Sequence, residues 1–264
     1  MDHDLDIAEK RVFADREGAT EVFVAGDRGV VAVAVSGDLV GEFSLDHQCV
    51  ARDVAVAGDR RAVATDSDVL VGDYDPTAFG PARAVGFDGD DLLAAGDDGR
   101  VARLTGDGWD SVGTVADPRA IDAGMVAAGD GVYRVVGDGL VDVGLDDVAD
   151  VSAHGLPLAA TGHGLYRLGN GWMDELDGAF HAVSVDADDD RAHAAGDACY
   201  ERERVGAWAR VDLPVDDRVA DVGYAGETTV AVTESGTVLL SAGEGWRTRE
   251  LGVDGVRRVA VRSA

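Results

Sequence analysis

VADVSAHGLPLAATGHGLYRLGNGWMDELDG, residues 148–178, holds four short runs of strand-forming residues at 149–153, 157–161, 165–168 and 172–176. Three glycine-rich turns separate them: His154-Gly155, Gly162-His163-Gly164 and Gly169-Asn170-Gly171. Turns this tight and this closely spaced are hairpin punctuation, so the stretch predicts a four-stranded antiparallel unit. Such a unit cannot cover both of its faces and has to pack against copies of itself.

Copies run through the whole chain. First strands align on Val54, Val85, Ile121, Val151, Val183, Val222 and Val259, at intervals of 31, 36, 30, 32, 39 and 37 residues. Second strands of small apolar residues end in AGDRG (25–29), ATDSD (64–68), AGDDG (95–99), AGDG (128–131), TGHG (161–164), AGDA (195–198) and TESG (233–236). Fourth strands often open on tryptophan, at Trp109, Trp172, Trp208 and Trp246. A tryptophan repeated at one position is read as a packing wedge between units, given the area an aromatic buries. Second, third and fourth strands each occur seven times, yet the first second strand lies near the N-terminus and the last first strand stands alone at 256–262. Pairing these two closes a ring and removes open sheet edges.

The pattern resembles a β-propeller. It implies an all-β, single-domain fold of seven four-stranded blades over 20–264, closed by pairing the N- and C-terminal strands. Residues 1–19 form an N-terminal segment in which 10–15 (KRVFAD) is a candidate extra strand. The GDGW, GNGW and GEGW turns look like shortened Asp-box turns of sialidase-type propellers, and GLYRLGNGW (164–172) resembles repeats of sensor-type propellers. As a whole the chain is similar to haloarchaeal propeller proteins, a resemblance that implies a fold and no activity.

The net charge is −28, from 51 acidic and 23 basic residues, and only Lys10 among the latter is lysine. Such a charge suits a protein kept soluble in salt and opposes nucleic-acid binding, which needs a basic footprint. Cys49 and Cys199 make no disulfide framework and are read as free thiols. With no apolar leader and no apolar run of about 18 residues, a cytoplasmic protein without a membrane span is expected. We expect a monomer with no cofactor and no metal.

The least ordinary feature lies two residues before each first-strand anchor, where Arg52, Arg83, Arg119, Ala149, His181, Ala220 and Arg257 stand. The overall arginine content, 22 in 264, would place about 0.6 in seven positions (7 × 22/264), against four found. In a propeller this column surrounds one channel mouth, so it predicts a focused positive spot suited to carboxylate or phosphate. The next column reads Asp53, Ala84, Ala120, Asp150, Ala182, Asp221 and Arg258, and arginine–aspartate pairing between blades would make the same ring structural. Both readings stand at this level. The functional expectation is a non-catalytic scaffold or sensor-like module taking a protein partner or small anionic ligand through Arg52, Arg83, Arg119, His181 and Arg257. The alternative is an enzyme (a hydrolase or lyase) on an anionic substrate at the same mouth, with Asp53, Asp150 or Asp221 as base.

Other signals are weak. Asp27, Asp66, Asp97, Asp130, Asp197 and Glu234 sit in turns where Asp beside Gly is ordinary chemistry, and the ligands are too spread for a metal. His47 and Cys49 make half a zinc site. His193 is expected in the core or between blades. There is no G-x-S-x-G elbow, P-loop or dinucleotide fingerprint, and Tyr133, Tyr166 and Tyr200 fall on third strands, away from the channel, so catalytic residues stay unassigned.

Overall fold

The computed structural model describes residues 20–106, 108–186, 191–243 and 245–262. They form 28 strands in seven four-stranded antiparallel sheets arranged as a ring, a seven-bladed β-propeller. The inner strands, from blade 1 to blade 7, are Arg258–Arg262, Ala51–Ala57, Ala82–Asp88, Pro118–Asp122, Val148–Ser152, Phe180–Val185 and Val219–Ala225. Each packs beside the next around the channel. All seven anchors lie on them.

The ring closes as the strand count requires. Arg258–Arg262 pairs antiparallel with Thr20–Gly26 in the register Val22↔Val261 and Val24↔Val259, joining the last strand of the chain to the first described one. The candidate strand at 10–15 lies outside the described residues.

Second strands are buried almost without a break, as in Ala62–Thr65, Leu92–Gly96 and Ala192–Gly196. A blade is covered on both faces by its neighbours, so its middle strands show continuous apolar runs instead of alternation. Near the axis the blades converge, and alanine is what fits. Wider separation further out is filled by the tryptophans. Trp109 donates its indole N–H to the Thr77 carbonyl (3.2 Å), Trp172 to that of Val143 (2.7 Å) and Trp208 to the Glu175 carboxylate (2.9 Å), in each case on the preceding blade. Trp172→Phe keeps the ring and removes the donor. Its expected cost is about 1 kcal/mol, a melting point lower by roughly 2–4 °C in a thermal scan.

Blade 2 has the shortest outer strand, Asp75–Pro76. His47 stacks on Tyr74 with ring centroids 4.2 Å apart, and Tyr74 donates to Asp46, which also binds Arg61. His47 is thus a packing residue at the seam of blades 1 and 2. His193, 2 % exposed, bonds the Tyr224 hydroxyl at the seam of blades 6 and 7, and burial pushes it down to about 4. No helix among the described residues is long and apolar enough to cross a membrane.

Candidate functional site: the two ends of the channel

The inner strand of each blade has one edge without a strand partner, and buried backbone groups there need other partners. Side chains supply them, each from one blade to the next. Asp53 accepts the N–H groups of Val54 (2.8 Å) and Val85 (3.0 Å), and Asp221 those of Val222 (2.8 Å) and Val259 (2.9 Å). Asp150 accepts those of Val151 and Val183. Three aspartates in alternate parts of the ring thereby cap six of the seven anchor N–H groups.

Carbonyls are met by the column before. Arg257 donates to Ala51 O (3.3 Å), Arg52 to Ala82 O (3.3 Å) and Arg119 to Val148 O (3.4 Å), and His181 Nε2 bonds Val219 O (2.7 Å). In each case the acceptor is the residue three before the next blade's anchor. The column can do this because it is extruded. Six of the seven inner strands shift register across that residue, between Ala51 and Asp53, Ala82 and Ala84, Pro118 and Ala120, Val148 and Asp150, Phe180 and Ala182, and Val219 and Asp221. A bulged residue leaves the ladder and re-aims its side chain, here toward the mouth.

Arg257, Arg52, Arg83 and Arg119 come from consecutive blades 1–4 and line one recess of ≈ 400 Å³ together with Pro118. Their side chains are 29–46 % exposed. Behind them runs a chain of ion pairs: Arg52–Asp97 (2.9 Å), Asp97–Arg83 (2.8 Å), Arg83–Asp117 (3.0 Å), Asp117–Arg119 (2.9 Å) and Arg119–Asp147 (2.8 Å). Arg257 pairs separately with Asp27 (2.6 Å). The bonds from Arg52 and Arg83 hold the Asp97 carboxyl below its usual range against partial burial. Burial works against the charge on Arg119, and its bonds to Asp147 and Asp117 outweigh it.

The bare positive spot expected from the arginine column is therefore a row of ion pairs. Donors remain: among the described residues Arg52 Nε and Nη2, Arg83 Nη2, Arg119 Nη2 and Arg257 Nε carry no hydrogen bond. His181 does not line the recess. Its ring is held between Val219 O and Arg218 (2.8 Å), and burial pushes it below the usual imidazole range.

Pairing between the arginine column and Asp53, Asp150 and Asp221 does not occur. Those three gather instead around Arg258 of the ring-closing strand, which lies 3.0 Å from Asp150 and 3.9 Å from Asp53. All four are buried or nearly so, and none of them lines the arginine recess. They line a second cavity, of ≈ 350 Å³, which extends past the anchors to Asp122, His154, Asp186 and Tyr224 at the opposite mouth. The base and the arginines of an enzymatic reading thus face different cavities. Burial, partly offset by Arg258, pushes Asp53 and Asp221 up to about 7 and raises Asp150. At the far mouth the bond to Asp122 (3.5 Å) raises His154. The described residues hold no cluster of three or more metal-binding side chains.

Asp117 and Asp147 carry the arginine chain but do not belong to the turn series. Their backbones are left-handed (φ 53° and 49°), a conformation that aspartate tolerates better than most residues. The one signal available was their position four residues before Ile121 and Val151, shared by two blades only.

A family profile described as "Beta-prop_HVO_0234:-like, beta propeller" matches residues 6–262. No curated protein matches the chain. Among solved structures, "YCF48 bound to D1 peptide" is similar at a TM-score of 0.60 and 14 % identity, with 76 % of this chain and 82 % of that one covered. A nidogen/laminin complex gives 0.59 and 11 %, covering 92 % and 98 %. The extracellular domain of a putative one-component system, BT4673, from B. thetaiotaomicron gives 0.65 and 13 %, covering 86 % of this chain and 39 % of that one. At these identities the likeness is one of fold.

Proposed function

The chain belongs to the HVO_0234-like β-propeller family, and from that premise we propose that it is a binding module whose arginine recess receives a carboxylate-bearing segment of a protein partner. The observation that carries this reading is the recess itself: four arginines from four consecutive blades, three of them on bulges, with unused N–H donors on each. Arg52 keeps its Nε/Nη2 fork for a bidentate contact with a carboxylate, the other three offer single nitrogens, and the aspartates behind them fix their rotamers before a ligand arrives. Because each arginine is already half-compensated, recognition rests on donor geometry more than on a long-range field. Two propellers of similar fold belong to complexes with a peptide and with a protein, which agrees with a protein partner here.

The test is calorimetric titration of a glutamate-rich peptide into wild type and into Arg83→Ala/Arg119→Ala. Binding to wild type that falls by about a hundredfold in the double variant supports the reading, since two charge-assisted contacts are lost. Equal affinity in both overturns it. A thermal-shift series with phosphate and dicarboxylates separates a small-anion site from a peptide site. A ligand at a hundred times its Kd stabilises by about 2.7 kcal/mol, so a full shift with free anions alone would favour the small ligand.

A further inference from the structure

Blade 1 outgrows its neighbour. Its two outer strands, Gly29–Ser36 and Leu39–His47, hold 8 and 9 residues, whereas their counterparts in blade 2, Val69–Val71 and Asp75–Pro76, hold 3 and 2. Blades cover one another's faces, so the shortfall leaves part of blade 1 bare. Ala32, on the face turned to blade 2, and Ala34, two residues further along the same face, are only half-buried. They line a groove of ≈ 630 Å³ together with Gly41 and Phe43, and Thr20, at the end of its strand away from the AGDRG turn, stands at its edge. The groove shares no lining residue with the arginine recess. Two charges on it are unanswered: among the described residues neither Glu42 nor Arg249 has an ion-pair partner, and Arg249 only faces the Phe43 ring, 5.4 Å from its centroid.

We propose that residues 10–15 (KRVFAD) occupy this groove, so that the chain's own N-terminal segment completes the seam that blade 2 leaves open. Reach favours it. The chain leaves the described fold at Thr20, on the groove itself, and the five steps from Thr20 back to Asp15 span at most about 18 Å. Chemistry favours it as well. In extended backbone alternate residues share a face, which sets Arg11, Phe13 and Asp15 together. A cation, an aromatic ring and an anion then meet Glu42, a surface of small residues and Arg249. Phe13 is the only phenylalanine of residues 1–19, and the family profile starts at residue 6, so this segment falls inside the family match. A segment tethered at the groove also competes at an effective concentration of roughly millimolar, ahead of a free partner or a second copy.

Lys10 is the only lysine in the chain, so a lysine-specific endoprotease has a single site, at the start of the docked stretch. Cleavage needs the chain around the cut free, and its rate tracks the open population. The measurement is the rate of cutting after Lys10 in the whole chain, divided by that in a synthetic peptide of residues 5–18. Expected is a rate at least about tenfold below the peptide's, unchanged when the protein is diluted. Phe13→Ser, compared with a peptide carrying the same change, is expected to bring the rate back to the peptide's. So is Ser44→Arg, which sets a bulky charge at an exposed position on the groove. Phe13→Ser alters nothing in the described propeller, so the test stands even if Ser44→Arg folds poorly. Wild type cut as fast as the peptide, or protection unchanged in Phe13→Ser, would overturn the proposal. Protection that grows with protein concentration alongside a sedimenting dimer would overturn it too, by assigning the groove to a second copy.

Discussion

Arg258→Met is expected to destabilise the propeller by about 3–5 kcal/mol at pH 8, the cost of removing the cation from a buried charge cluster. The side chain is nearly isosteric along its stem, so the loss is electrostatic: Asp150 at 3.0 Å and Asp53 at 3.9 Å keep their burial and lose their partner. The position makes the loss global. Arg258 opens the strand that completes blade 1, so its cluster ties the ring closure to blades 2 and 5. Two controls distinguish this from general sensitivity. Arg257→Met, one residue earlier and 41 % exposed at the rim, is expected to cost under about 1 kcal/mol. Adding Asp150→Asn to Arg258→Met removes one of the orphaned charges and recovers part of the loss. Denaturant unfolding of the four proteins settles the point; an Arg258→Met protein as stable as wild type would mean that the cluster contributes nothing to closure.

The second large effect is a pH dependence of unusual sign. Most carboxylates in folded proteins titrate below their unfolded value and add stability as pH rises. Asp53 and Asp221 do the reverse, because burial outweighs the attraction of Arg258 and their bonds to backbone N–H groups and brings them to about 7, against an ordinary 3.8. Between those values the folded state holds a proton that the unfolded chain has released. The stabilisation is complete below the unfolded value and is lost as pH rises through about 7. His181 and His193, both held low by burial, contribute in the opposite direction below their unfolded value of 6.5. The clean measurement is therefore wild type against Asp53→Asn. Their stability difference should move against wild type by about 3 kcal/mol between pH 5 and pH 8. A difference that stays constant with pH would mean that Asp53 is ionised throughout.

The arginine column shows how far residue types alone carry. Seven units, their hairpins and the tryptophan wedges are repeated features, and repetition makes them legible: each recurs seven times, or four, every 30–39 residues, and the one displaced strand left over from the count marks the closure of the ring. The enrichment of arginine two residues before the anchors was equally visible. What its guanidiniums bind was not, since Asp97 meets Arg52 across 45 residues and Asp147 meets Arg119 across 28. Those distances are set by blade packing, not by spacing within a unit. The same holds for the column behind it, where one arginine, Arg258, answers three aspartates from blades 2, 5 and 7.

The sequence by itself determined the fold, because a strand–turn unit with two apolar faces has no stable state except beside its copies, and seven copies with one displaced strand close a ring. It also showed that arginine recurs two residues before the anchors. Only the tertiary structure decided how they are paired. Bulges lift Arg52, Arg83 and Arg119 to the mouth beside Arg257, while the aspartates one residue later stay at the strand edge, where unpaired N–H groups demand acceptors. That single-residue difference divides one polar stripe into two cavities of opposite chemistry, an arginine recess at one end of the channel and a carboxylate floor facing the other.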